Sequence, residues 1–174
     1  GAEHILSRIL VTPGKSVLSN MYFTTSRAHV ELLEGMWVDV SIPEAHDPLS
    51  MHPFKGNIDV VKAENYIKKI KPQHIAFFRV EACSNMAGGQ PFSLENLKHV
   101  RKLCKRYGIT LVIDGTRAIE NAYFIQQREK GHGRRSVAEI IKRIFAECDV
   151  AYFSSKKDHL VNIGGFLATN NANI

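Results

Sequence analysis

Cysteine is scarce in this sequence, and Cys83, Cys104 and Cys148 stand far apart. No two of them form a CxxC pair, so the sequence offers neither a zinc-ligand spacing nor a disulfide framework. It also has no run of 18 apolar residues, and residues 1–4 show no basic region followed by an apolar one, as a signal peptide would. These absences predict a chain of the reducing cytoplasm that does not interact with a membrane.

The glycine patterns of nucleotide-binding loops are missing as well. Pro13-Gly14 and Gly88-Gly89 lack the GxGxxG spacing, and Ile9 stands where a P-loop around Lys15 would need glycine. The net charge is +6, but the basic residues are spread over predicted helical faces without an aromatic-interleaved basic motif. We therefore expect neither a generic nucleotide-binding domain nor a nucleic-acid groove.

What the sequence does contain is an alternation of apolar strands and amphipathic helices. The predicted strands cover residues 17–23, 37–40, 75–82, 109–113 and 150–153. Between them, helices are predicted to begin after Asp59, Ser93 and Ser136, and Gly108 is a stop signal for the second. Continuous apolar strands that alternate with helices predict an α/β fold, a mainly parallel sheet sandwiched by helices. At 174 residues, the chain has the size of one domain.

One aromatic and several polar side chains follow these strands at the edge where ligands of open α/β sheets bind. The residues concerned are Phe23, Asn85, Asp114, Arg117, Ser154, Lys156 and Lys157. A buried lysine with a depressed pKa can form a Schiff base, and a carboxylate can hold a protonated pyridine nitrogen. An aromatic face stacks on a flat ring, and serine oxygens suit phosphate. Together, these groups would hold pyridoxal phosphate.

Each of these residues also has a simpler interpretation. Asp114 could be a cap or a surface carboxylate, and Arg117 could pair with Glu120 across one helical turn. Phe23 could belong to the core, and Asn85 could serve a turn. The two lysines could be a solvated strand end. Only the combination, in this order, favours the cofactor site.

The motifs that carry a resemblance are separated along the chain. They are residues 20–25 (NMYFTT), 54–59 (FKGNID), 85–91 (NMAGGQP), 120–125 (ENAYFI) and 156–158 (KKD) with Gly164-Gly165. In these stretches, the sequence resembles the β-eliminating lyase family, the tyrosine phenol-lyase and tryptophanase group of fold-type-I pyridoxal-phosphate enzymes. The resemblance covers nearly the whole chain and implies the large domain of an aspartate aminotransferase-type fold, the PLP-dependent transferase-like fold.

The resemblance also implies a role for individual residues. Lys157 would be the Schiff-base lysine and the base for the substrate α-proton, with Lys156 in a supporting role. Asp114 would pair with the pyridinium nitrogen, and Phe23 would stack on the ring. The resemblance further implies that Arg117 and Asn85 contact the 3-oxygen of the cofactor and that Ser154 contacts its phosphate. Thr24 would contact the substrate, and the Asn162 backbone carbonyl would bind a potassium ion.

The implied reaction is α,β-elimination from an aromatic L-amino acid, which releases the aromatic compound, pyruvate and ammonia. Thr24 favours tyrosine, which would give phenol, whereas Ser84-Asn85 and Ser93-Leu94 look closer to the tryptophan-cleaving type. Family members are longer, so we expect residues 1–174 to be a single cofactor-domain fragment without the N-terminal segment and the small C-terminal domain. An inactive fragment is the alternative to an enzyme, and a homo-oligomer, dimer or tetramer, is expected for the full-length protein.

Overall fold

The computed structural model describes residues 1–170. The helices are α1 (Ala2–Leu10), α2 (Thr24–Glu31), α3 (Val60–Ile70), α4 (Leu94–Tyr107), α5 (Ala118–Arg128) and α6 (Val137–Phe145), with 3₁₀ turns at Pro43–His46, Pro72–His74 and Asn85–Ala87. The strands are β1 (Ser16–Ser19), β2 (Met36–Asp39), β3 (Ile75–Glu81), β4 (Leu111–Asp114), β5 (Val150–Ser154) and β6 (Gly165–Thr169). In this part of the chain, no helix combines the length and the apolar character that crossing a membrane requires.

The strands form one sheet in the order β2-β1-β3-β4-β5-β6. All neighbouring pairs are parallel except β5 and β6, which run antiparallel. The chain runs from β1 to β2 on one side and then crosses past β1 to β3 on the other, a reversal of direction typical of doubly wound sheets. The predicted α/β fold with a mainly parallel sheet is confirmed.

Alternate strand residues pack on opposite faces of the sheet, since successive side chains of a strand point in opposite directions. Val17 and Phe77 contribute to a core shared with α1 and α2. Leu18 and Phe78 contribute to the larger core under α3, α4, α5 and α6. The continuous apolar strands of the sequence are therefore explained by burial on both faces.

The predicted helix starts are present. The Asp59 side chain accepts the backbone N–H of Lys62 at 2.9 Å, and the Ser93 hydroxyl accepts that of Asn96 at 3.1 Å. Ser136 and Glu139 form the reciprocal capping box. At the C-terminus of α4, Gly108 has φ of 64°, the left-handed conformation in which glycine has no steric penalty.

Two strand predictions need correction. The first strand was expected over residues 17–23, but β1 ends at Ser19. Asn20 is buried there, and its amide group donates to the carbonyl oxygens of Gly56 and Glu81, both at 3.0 Å. These bonds hold the chain so that Phe23 becomes the residue that precedes α2. The edge strand β6 was not expected, because its largely exposed residues show no alternating pattern.

Candidate functional site

A cleft of about 710 Å³ opens at the carboxyl edge of the sheet. This volume lies within the range of small-molecule sites. Seven of the nine residues predicted from the sequence line it: Phe23, Asn85, Asp114, Arg117, Ser154, Lys156 and Lys157. Thr24 and Asn162 are exposed and are not among its lining residues.

The fold brings these residues together because they terminate neighbouring strands. Asp114 and Ser154 are the last residues of β4 and β5, which pair in parallel. Phe23 and Arg117 immediately precede α2 and α5, and Asn85 begins the 3₁₀ turn after β3. The cleft therefore lies where parallel α/β sheets bind their ligands.

The turn after β5 presents the two lysines. Both are exposed, which differs from the buried lysine that the sequence pattern favours. Asp158 fastens the turn to the start of α5, since its carboxylate accepts the backbone N–H of Ile119 at 2.6 Å. The backbone carbonyl of Lys157 accepts the N–H of Leu160 at 3.0 Å. These bonds hold the lysine-bearing turn beside the cleft.

Arg117 makes the contact with Glu120 that the sequence allowed, and a second contact with another residue of the cleft lining. One terminal nitrogen donates to Glu120 at 3.3 Å, across one turn of α5. The other donates to the Asn85 side-chain oxygen at 3.4 Å, which connects α5 to the loop after β3. The ion pair with Glu120 therefore leaves one terminal nitrogen of Arg117 in contact with the cleft lining.

Asp114 forms a short ion pair in the floor of the cleft. Its Oδ2 accepts from Nη2 of Arg79 at 2.6 Å, and its Oδ1 accepts the backbone N–H of Thr116 at 3.1 Å. Only 1% of Arg79 and 5% of Asp114 are exposed, so the pair is shielded from water on the protein side. Asp114 is thus held in one orientation rather than acting as a free surface carboxylate.

Arg79 uses its other nitrogens to connect further parts of the sheet. Nε donates to the Tyr152 hydroxyl at 2.6 Å, and Nη1 donates to the Ser19 hydroxyl at 3.2 Å. Nη1 also approaches Glu81 Oε2 at 3.4 Å. One guanidinium therefore joins β1, β3, β4 and β5 at their carboxyl ends.

Tyr152 continues this network toward α1. Its hydroxyl accepts from Arg79 and lies 3.3 Å from Glu3 Oε1, to which it can donate. Burial raises the pKa of Tyr152 well above its ordinary value, so it remains a neutral phenol with a proton to donate. Glu3 also accepts from the hydroxyls of Thr25 and Ser26, which attaches α2 to the same network.

The cleft lining also includes Glu81, a carboxylate that the sequence did not indicate. Its Oε1 accepts the backbone N–H of Asn85 at 3.3 Å. Burial raises the pKa of Glu81 to about 7, Arg79 opposes the rise and the negative charge of Asp114 adds to it. Glu81 is therefore poised to titrate near neutral pH.

A family model and named relatives show which family this chain belongs to. The family model described as beta-eliminating lyase matches residues 1–174. The chain belongs to the beta-eliminating lyase family. A tyrosine phenol-lyase of Symbiobacterium thermophilum (strain DSM 24528 / JCM 14929 / IAM 14863 / T) is 54% identical over 170 residues, 98% of this chain and 37% of the relative. One of Nostoc punctiforme (strain ATCC 29133 / PCC 73102) is 49% identical over 174 residues, 100% of this chain and 37% of the relative.

Solved structures place this member of the beta-eliminating lyase family in the aspartate aminotransferase-type fold. A double mutant of the Thermus thermophilus aspartate aminotransferase matches with a TM-score of 0.63 at 17% identity, covering 96% of this chain and 38% of that one. An aspartate aminotransferase from Rhodobacter sphaeroides 2.4.1 matches with a TM-score of 0.58 at 22% identity, covering 88% and 35%. The predicted fold type is confirmed, and the chain spans little more than a third of the length of these relatives.

The raised pKa of Glu81 in this beta-eliminating lyase chain has a consequence for stability. The fold binds the Glu81 proton more tightly than the unfolded chain, which stabilises the fold below the ordinary pKa of 4.5, and this stabilisation is lost as the pH rises through about 7. Between pH 4.5 and pH 8, we expect the wild type to lose on the order of 3 kcal/mol of unfolding free energy through Glu81, and Glu81→Gln not to show this loss. Urea unfolding at several pH values measures it.

The matched control is Glu31→Gln, which alters an exposed carboxylate on α2. Because other groups titrate in the same range, the informative quantity is the difference in unfolding free energy between the wild type and each variant. This difference should grow with pH in favour of Glu81→Gln and stay nearly constant for Glu31→Gln. Parallel curves for Glu81→Gln and the wild type would show that Glu81 titrates normally.

Proposed function

We propose that this chain is the cofactor domain of a pyridoxal-phosphate-dependent carbon–carbon lyase that splits L-tyrosine into phenol, pyruvate and ammonia. The observation that carries the proposal is the cleft at the carboxyl edge of the sheet, where Phe23, Asp114 and Lys157 meet in one lining. Relatives at 45–54% identity that are named tyrosine phenol-lyase support the choice of reaction.

The residues present fit pyridoxal phosphate. The fixed carboxylate of Asp114 suits a protonated ring nitrogen, and Phe23 offers an aromatic wall. For the phosphate, the cleft offers the hydroxyl of Ser154 and the ammonium group of Lys156. When bound, the cofactor supplies a sink for the electrons left at the substrate α-carbon.

The protein side chains would divide the remaining work. Lys157 Nζ would hold the cofactor covalently and, once the substrate amine has displaced it, the freed amine would take the proton from the substrate α-carbon. Asp114 would keep the proton on the ring nitrogen, since Arg79 and Thr116 fix its orientation. Arg117 and Asn85, which already contact one another, would bind the 3-oxygen.

Several finer features belong to the same proposal. Thr24, at the start of α2, favours tyrosine over tryptophan as the substrate. The backbone carbonyl of Asn162 would bind a potassium ion; among residues 1–170, no cluster of three His, Cys, Asp or Glu side chains forms an alternative metal site. Buried free thiols at Cys83, Cys104 and Cys148 support a cytoplasmic location. We also propose a homo-oligomer for the full-length protein and a single cofactor domain over residues 1–174.

Cofactor loading of the purified protein tests the proposal. After addition of pyridoxal phosphate and reduction with borohydride, mass spectrometry should find one cofactor per chain, attached to Lys157. Incubation with L-tyrosine should release phenol and pyruvate in equal amounts. Indole from L-tryptophan would instead favour the tryptophan-cleaving reaction. Attachment of the cofactor without formation of pyruvate would support an inactive fragment, and absence of any cofactor attachment would contradict the cofactor site.

A further inference from the structure

Two carboxylates that line the cleft contact one buried guanidinium beneath it. Arg79 lies 2.6 Å from Asp114 and 3.4 Å from Glu81. Arg79, Asp114 and Glu81 are 1%, 5% and 6% exposed, and both carboxylates line the cleft. With both carboxylates ionised, this cluster carries one net negative charge next to the space available to a ligand.

An unbalanced charge in a buried position is unfavourable unless a partner compensates it. The closer contact assigns the positive charge of Arg79 chiefly to Asp114, because ionic attraction increases as the distance falls. Glu81 is then the carboxylate without a full counter-charge. The protein can relieve this either by protonating Glu81 or by binding a cation in the cleft.

The surroundings of Glu81 include groups of both signs. Arg79 shares its strand, Asp114 comes from β4, and the Cys83 thiol follows in the next turn. The other titratable or charged side chains of the cleft lining are Glu3 on α1, His29 on α2, Arg117 at α5, Tyr152 on β5, and Lys156 and Lys157 after it. Arg79 is the cation in direct contact with Glu81.

We propose that Glu81 is a positioning residue that supplies the negative charge left over once Arg79 has paired with Asp114, so that the cleft floor balances a protonated aromatic nitrogen. The inference rests on the proposed function, in which the ring nitrogen of pyridoxal phosphate faces Asp114. With Arg79 and Asp114 alone, the positively charged ring would meet a neutral pair. Glu81 restores the net negative charge.

Binding of the cofactor should therefore release a proton from Glu81. In the free protein, burial holds the pKa of Glu81 at about 7, so roughly half of the molecules carry the proton at pH 7. A positive ring nitrogen nearby favours the ionised carboxylate, and the proton leaves to the buffer. Glu81→Gln cannot release this proton and cannot supply the negative charge.

Titration calorimetry of pyridoxal phosphate binding tests the inference. Measurements at pH 7 in two buffers of different ionisation enthalpy give the number of protons released. We expect the wild type to release about half a proton more than Glu81→Gln, and the variant to bind about 10-fold more weakly. The control ligand is the analogue with carbon in place of the ring nitrogen, which both proteins should bind equally because it has no charge at that atom.

A second measurement does not depend on a variant. Carbon-13 NMR of the glutamate carboxyl groups should show one signal of the free protein that titrates near neutral pH. The midpoint of this titration should move to lower pH when pyridoxal phosphate is bound. Equal proton release by the wild type and Glu81→Gln, or an unshifted signal, overturns the inference while cofactor binding stands. If the wild type binds no pyridoxal phosphate, the proposed function fails and the inference with it.

Discussion

Replacement of Arg79 by methionine is expected to lower the free energy of unfolding by about 3–5 kcal/mol, the usual cost of removing one partner of a buried ion pair. Methionine fills much of the same space, so the loss would come from charge and hydrogen bonds rather than from a cavity. Asp114 would lose its 2.6 Å partner, and the Tyr152 hydroxyl would lose the donor at Nε. Urea unfolding monitored by circular dichroism measures the effect.

Two further variants separate charge from packing at this position. Arg79→Lys keeps the positive charge but not the fork of donors, so we expect an intermediate loss. Combining Arg79→Met with Asp114→Asn should cost less than the sum of the two single changes, because the double variant no longer contains the Asp114 carboxylate that Arg79→Met leaves without a cation. Additive losses would contradict a direct interaction between Arg79 and Asp114.

The surface pair of Arg106 and Glu64 provides the matched control. Its N–O distance is 3.0 Å, but the Arg106 side chain is 64% exposed. Exposed ion pairs contribute little because water and salt screen them and both side chains lose freedom. Arg106→Met should therefore have a much smaller effect than Arg79→Met. Equal effects would mean that the burial of Arg79 adds nothing to the strength of its contacts.

Prediction from the sequence worked best where the signal is local. The capping positions at Asp59, Ser93 and Ser136 depend on residues within one helical turn, and all three were predicted correctly. The residues that follow the strands were also predicted to meet, since parallel strands share one carboxyl edge. The end of β1 was misplaced because Asn20 is anchored by carbonyl groups of Gly56 and Glu81, 36 and 61 residues away.

The network around Arg79 was missed for the same reason. Its partners Ser19, Asp114 and Tyr152 lie 60, 35 and 73 residues away, on three other strands. A signal was nevertheless present, because Arg79 and Glu81 stand two residues apart in an otherwise apolar strand. Arginine and glutamate are almost never fully buried unless they are paired. Two opposite charges on one face of a buried strand therefore predict a partner on the neighbouring strands.

Replacement of Lys157 by alanine is expected to abolish covalent cofactor attachment at this position and to lower the rate of phenol release by at least about 10³-fold. The proposed function gives this amine two tasks, holding the cofactor and moving the α-proton, and alanine can do neither. Borohydride reduction followed by mass spectrometry measures attachment, and pyruvate formation from L-tyrosine measures the rate. The effect on folding should be small, since the Lys157 side chain is exposed.

Lys156→Ala is the matched control, because both lysines are exposed, line the same cleft and belong to the same turn. This variant should still attach the cofactor at Lys157 but bind it more weakly, since one cation near the phosphate is lost. The hydrogen bond by which the Asp158 carboxylate anchors the turn to Ile119 is unchanged in both variants. A difference between them therefore reports on the amines alone. Attachment at Lys156, or undiminished phenol release by Lys157→Ala, would reverse the assignment of the two lysines.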